Sequence, residues 1–139
     1  MRHLDAVEQI IASAVGLTSH VLDESIGPDL TLLGWRALSV LGRHPAGLRP
    51  SELADVMRIS RPSASKLVHR LRARGLIELS RDAGDGRVRS LRLSWEGLRL
   101  RETVLERRRA LVARCLEDPL PGDLDHGLRA IADRLEGWS

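Results

Sequence analysis

With 139 residues, 42% hydrophobic and 29% charged, the chain has the length of one domain and enough apolar side chain to bury a core. It holds three Trp but no Phe or Tyr, so the core must be built from Leu, Val, Ile and Ala, a composition that favours helices over a large sheet. The one cysteine, Cys115, excludes an internal disulfide, and neither a signal-peptide pattern nor an apolar run near ~18 residues is present, so a cytoplasmic protein with no membrane partner is expected. The net charge of +3 is unevenly spread. Arg49 to Arg92 carries ten Arg and Lys66 against five acids, a net of +6, while the flanks together carry −3. A basic centre between acidic flanks suits a polyanionic partner.

Leu4, Val7, Ile11, Ala14, Thr18 and Val21 recur at alternating steps of three and four, which predicts a first helix with a narrow apolar seam ended by Gly27-Pro28. Thr31 can cap a second helix, Leu32 to about Gly42, with Leu33, Leu38 and Leu41 facing the core. His44-Pro45-Ala46-Gly47 reads as a loop. Pro50 and Ser51 open a short helix that runs to Met57, and Met57-Arg58-Ile59 is a tight connection. Ser60 then caps a helix with Pro62 in its first turn, which runs to Arg74 and is stopped by Gly75. Leu76–Leu79 and Val88–Leu93 read as strands joined through the turn residues Ala83-Gly84-Asp85-Gly86. Ser94 can cap a long helix to about Glu117, with Leu98, Leu105, Val112 and Cys115 on one side and Cys115 as buried filler. After the break at Asp118–Gly122, Asp123 can cap a last helix striped by Leu124, Leu128, Ile131 and Leu135.

Helix, helix, tight turn, helix, hairpin is the order of a winged helix-turn-helix: a mainly α (α+β) fold with a two-stranded β-hairpin wing and flanking helices. The helix before the wing tests this reading. Ala64, Leu67, Val68 and Leu71 fall at i, i+3, i+4 and i+7 and form its buried face. The other side carries Arg61, Pro62, Ser63, Ser65, Lys66, His69, Arg70 and Arg72, without one acid. A solvated helix face mixes signs for local pairing, whereas an acid-free face of Ser, Lys, His and Arg suits phosphates and base edges. The seam of the first helix and the stripe of the last (Leu4, Val7, Ile11 and Ala14; Leu124, Leu128, Ile131 and Leu135) ask for cover, either within the chain or from a second copy. With cover from a second copy, the chain is expected to divide into an N-terminal dimerisation helix (1–29), a DNA-binding lobe (30–94) and C-terminal dimerisation helices (95–139).

The hairpin adds a motif. Asp85, Arg87, Leu91, Leu93 and Ser94 resemble the wing signature of the MarR (multiple antibiotic resistance regulator) family, with Ser for its Thr, and Trp95-Glu96-Gly97 resembles the start of that family's long helix. Leu30-Thr31-Leu32-Leu33-Gly34-Trp35-Arg36, Ser51-Glu52-Leu53-Ala54 and the run from Leu67 to Ile77 also fit, so the resemblance covers about residues 30–97. It implies a homodimeric transcriptional regulator, most often a repressor, that binds a pseudo-palindromic operator in double-stranded DNA. It places the helix at about 61–74 in the major groove and Arg87 in the minor groove, oriented by Asp85. Ser51, Ser60, Arg61, Ser63, Ser65, Lys66, His69, Arg70, Asp85, Arg87 and Arg89 are the implied DNA-contacting set. The family often binds small aromatic or phenolic effectors, for which His20, Trp35 and Arg36 are the candidates. No metal-ligand spacing, phosphate-binding Gly-rich loop or nucleophile motif is present, so neither an enzyme nor a cofactor is expected. The rival reading is a winged helix that binds protein instead of DNA.

Overall fold

The computed structural model describes residues 2–26, 30–81, 89–116 and 118–137. In chain order these form α1 (Arg2–Ile26), α2 (Leu32–Gly42), α3 (Pro50–Met57), α4 (Arg61–Ala73), β1 (Ile77–Arg81), β2 (Arg89–Leu93), α5 (Trp95–Cys115) and α6 (Gly122–Glu136). The mainly helical, winged-helix fold expected from the sequence is what the chain adopts. The chain divides into two compact units, residues 1–108 and 109–139.

In the first unit each local signal has a physical partner. The Thr31 hydroxyl accepts the Gly34 amide at 3.1 Å and starts α2, which buries Trp35, Ala37, Leu38, Val40 and Leu41. Leu33, expected in the core, is only half-buried, because Gly34 and Trp35 turn the inner face of α2 by one position. α3 begins at Pro50, one residue before Ser51. Its first turn is closed by the Glu52 carboxylate, which accepts the Arg49 amide at 2.7 Å, so Ser51 lies within the helix and does not cap it. α4 ends at Ala73, one residue before the expected Arg74, which is its C-cap. There Gly75 takes φ +70, its amide bonds the Arg72 carbonyl at 2.9 Å, and the Leu76 amide reaches back to Leu71 at 3.0 Å. That pair of bonds closes the helix end, where Leu71 and Leu76 are both buried. Leu76 is therefore a cap residue, and β1 starts one residue later than the sequence suggests.

β1 and β2 are antiparallel, in register Ile77 with Leu93 and Arg81 with Arg89. Leu48 adds a lone bridge on the other edge of β2, exchanging backbone bonds of 3.1 and 2.7 Å with Leu91. Val88, expected to open the second strand, lies outside the described residues, as do Gly27 and Pro28. The core gathers Leu38, Leu53, Met57, Leu67, Leu71 and Leu91 between α2, α3, α4 and β2, each at most 2% exposed. Removing one such leucine to alanine costs about 2–5 kcal/mol by lost transfer energy and cavity formation.

α1 joins this core only through its C-terminal half, where Thr18, Val21 and Leu22 are buried. Leu4, Ile10, Ile11 and Val15 are 63, 59, 40 and 55% exposed, and Ala14 is exposed. At the start of α5, the Ser94 hydroxyl accepts the Gly97 amide at 3.0 Å and donates to the Gly75 carbonyl. Gly97 and Val104 are the α5 residues buried against the lobe. This corrects the expected face: Leu98 and Val112 are 42 and 45% exposed, and Cys115 is an exposed free thiol instead of core filler. Periodicity marked an apolar stripe, but the small Gly97, which lets the helix approach, chose a different side to pack.

In the second unit α6 starts after Pro121, so Asp123 sits inside the first turn and is not the cap. With Asp125 it still places negative charge at the positive end of the helix dipole. The Arg129 Nε donates to Asp125 at 2.8 Å, and this bond lowers the carboxyl pKa of Asp125. No α6 residue is buried: Leu124 and Leu135 are 47 and 46% exposed, while Leu128 and Ile131 are half-buried.

Candidate nucleic-acid interface

α4 is mounted by its apolar side. Ala64, Leu67 and Leu71 are at most 2% exposed, so the helix cannot rotate without opening the core. Val68, expected on that face, is only half-buried and lines a cleft instead. Arg61, Ser63, Ser65, Lys66, His69, Arg70 and Arg72 are all exposed. Ser65, Lys66, His69 and Arg70 line one shallow concavity. Beside them a cleft of about 280 Å³ runs between α3, α4 and the hairpin, with Pro50, Ala64, Val68 and Leu79 as its apolar floor. Ser51, Arg61, Ser65, Arg72 and Arg89 rim it. The structure thus brings together Ser51, Arg61, Ser65 and Arg89 from three different elements. It adds Arg72, which the sequence placed on the acid-free side of the helix but gave no distinct role. Its rim position becomes visible only once Arg89 is placed opposite.

Ser60 and Ser63 are already partly engaged. The Ser60 hydroxyl accepts the Ser63 amide at 3.2 Å and donates to the Ser63 hydroxyl at 2.8 Å. Both remain exposed at the N-terminus of α4, where free amides and the helix dipole favour an anion. Asp85 and Arg87 lie outside the described residues.

Of the effector candidates, Trp35 and Arg36 meet Ile11, Ala14, Val15, Thr18 and Leu32 around an apolar groove of about 470 Å³ between α1 and α2. Trp35 is mostly core, at 6% exposure. His20 is elsewhere on α1, 60% exposed, with its Nε2 3.3 Å from Glu24. Among the described residues no group of three or more His, Cys, Asp or Glu could hold a metal ion, and no helix is long and apolar enough to cross a membrane.

A helix-turn-helix whose second helix presents a basic face, backed by an antiparallel hairpin, defines a winged-helix protein. Residues 29–88 match the model of the MarR family. The whole chain has the fold of solved structures with that architecture. A MarR family protein from Bacillus stearothermophilus is 23% identical, with 99% of this chain and 93% of that one covered, at a TM-score of 0.80. RV1404 from Mycobacterium tuberculosis is 22% identical over 96% and 90% of the two chains, with a TM-score of 0.81. Streptococcus pneumoniae FabT, solved in complex with DNA, is 19% identical over 99% and 98%, with a TM-score of 0.77. No curated protein sequence matches the chain. Residues 29–88 of the chain are thus similar to the MarR family, and the chain has the winged-helix fold of these structures.

Proposed function

We propose that this chain is a DNA-binding transcription regulator that acts as a homodimeric repressor on a pseudo-palindromic operator. The observation that carries the reading is the outer face of α4: Arg61, Ser65, Lys66, His69 and Arg70, all exposed, on a helix without one carboxylate. In this reading Arg61, Ser65 and Lys66 enter the major groove, while His69 and Arg70 approach the backbone. Ser51, Ser60 and Ser63 bond phosphates near helix ends, and Arg89 flanks the groove. Arg87 enters the minor groove, oriented by Asp85. A narrow minor groove concentrates negative potential and favours an inserted arginine. The DNA complex of FabT supports this assignment by shared fold.

Dimerisation rests on the two terminal helices. The Leu4, Val7, Ile11 and Ala14 seam and the Leu124, Leu128, Ile131 and Leu135 stripe are exposed or half-buried in the single chain. Apolar surface of that extent is stabilised by cover from a second copy. The groove beside Trp35 and Arg36 has the size and apolar lining of a small-molecule site, and we assign it to an aromatic effector that releases the operator. His20, facing away beside Glu24, would not line it.

Binding of the full chain to random duplex DNA as a function of salt tests the class of activity. Neutralised phosphates release counterions, so affinity must fall steeply with added salt. Selection from a random-sequence pool should then return a pseudo-palindrome with half-site centres about 34–36 Å apart. Inserting five base pairs between the half-sites turns one by roughly half a helical turn and should abolish tight binding. Salt-independent or absent duplex binding would favour a protein-binding winged helix.

A further inference from the structure

Arg36 stands in α2, half-buried, and its Nη1 donates to the carbonyl oxygen of Met57 at 3.0 Å, 21 residues along the chain. Met57 is the last residue of α3. Carbonyls at a helix C-terminus lack partners within the helix and sit at the negative end of its dipole, so a guanidinium there meets both needs. The next residue, Arg58, holds φ 54 and ψ 43, and among the described residues no other non-glycine has positive φ. Its amide bonds Asp55 at 3.1 Å, the Ile59 amide bonds Ala54 at 3.1 Å, and Ser60 then caps α4. The whole change of direction between α3 and the recognition helix therefore passes through one left-handed residue. Such a conformation persists only where its surroundings over-determine it. Arg36 supplies a side-chain anchor to that turn from outside the helix-turn-helix pair.

We propose that Arg36 is a positioning residue for DNA recognition: its bond to Met57 fixes the turn that aims α4, and the side chain itself does not touch DNA. The proposal rests on α4 being the reading helix, but its first consequence needs no DNA. Replacing Arg36 by Met keeps a long apolar stem and removes the donor, while Lys keeps one donor and the charge. Amide hydrogen exchange on the full-length chain should be faster by about tenfold at Arg58 and Ile59 in Arg36→Met, because a charged group's hydrogen bond is lost. Arg36→Lys should fall between it and wild type, and amides in α5 should not change.

The second consequence concerns DNA. Affinity of Arg36→Met for the duplex that the wild-type chain selects from a random pool should drop by about tenfold or more. Affinity for random duplex, and its salt dependence, should stay as in wild type, since the phosphate-binding side chains remain. Unchanged exchange at Arg58 and Ile59 in both variants overturns the proposal. So does an equal loss on selected and random duplex, or faster exchange throughout the lobe, either of which makes Arg36 merely structural. Failure of the regulator reading is a separate result, seen as wild-type protein that binds no duplex; the exchange measurement still decides whether Arg36 holds the turn.

Discussion

Gly97 lies so close to Leu76 that a Cβ added to it would stand 2.0 Å from the Leu76 carbonyl oxygen. The contact ties the first turn of α5 to the end of α4, because Leu76 also closes α4 through its bond to Leu71. An exposed helical Gly→Ala normally stabilises by about 1 kcal/mol through helix propensity. Here the sign reverses. Backbone must move to admit the methyl group, and overpacking of that kind costs about 1–3 kcal/mol. Urea unfolding of Gly97→Ala should give a lower midpoint than wild type. A higher midpoint would mean that α5 does not rest on Leu76.

Arg58→Gly should act in the opposite direction. A left-handed conformation costs an L-residue about 1–2 kcal/mol, which glycine avoids, and glycine's extra freedom in the unfolded chain returns part of that gain. The net expectation is stabilisation by up to about 1 kcal/mol, read as a higher denaturation midpoint at unchanged m-value. Destabilisation would show that the exposed Arg58 side chain makes a stabilising contact of its own.

Much of this lobe is legible in the sequence because its determinants are local. Thr31, Ser60 and Ser94 each accept the amide three residues on, as Ser and Thr do at helix starts, and Gly75 stops α4 for want of a Cβ. Ala64, Leu67 and Leu71 announce their face by spacing alone. What was not legible is non-local. The bridge of Leu48 to Leu91 rests on a single residue pair and leaves no alternation to read. Leu98, Leu105 and Val112 form a genuine stripe, yet a stripe states only that a face is apolar, not which element covers it. The bond from Arg36 to Met57 joins two helices through one side-chain nitrogen, and no pattern in either helix signals it.

The open seams lead to a prediction about assembly. Val7 and Leu128 are half-buried in the single chain, so a carboxylate at either position would remain partly hydrated in a monomer. At a dimer interface it would be buried without a partner, at a cost of several kcal/mol. Sedimentation velocity should show a dimer for wild type, as proposed, and monomer or aggregate for Val7→Asp and Leu128→Asp. Variants that remain dimeric and equally stable would place the interface on other residues.

Lys66 and Arg87 should separate the two kinds of DNA contact. Lys66 projects from the middle of the acid-free face, with Ala64 and Leu67 on either side fixing the direction in which it points. If it reads a base edge, Lys66→Ala should weaken binding unevenly across operator variants, by about 1–3 kcal/mol at the base pair it contacts. If it contacts phosphate, the loss is uniform and the salt slope drops by about one. Arg87 follows Gly84-Asp85-Gly86 in the sequence, and in the proposed reading Asp85 orients its guanidinium. An arginine already held in one orientation loses less entropy on binding than a free one. Arg87→Ala should thus cost about 1–3 kcal/mol in operator affinity and also flatten the salt dependence by roughly one unit of slope. Asp85→Asn should cost less, since it removes the orienting charge and leaves the cation in place. Gel-shift titrations at several salt concentrations, run on the duplex selected by wild type, measure all three variants together. Native affinity and native slope for Arg87→Ala would remove the wing tip from the interface and leave recognition to α4 alone.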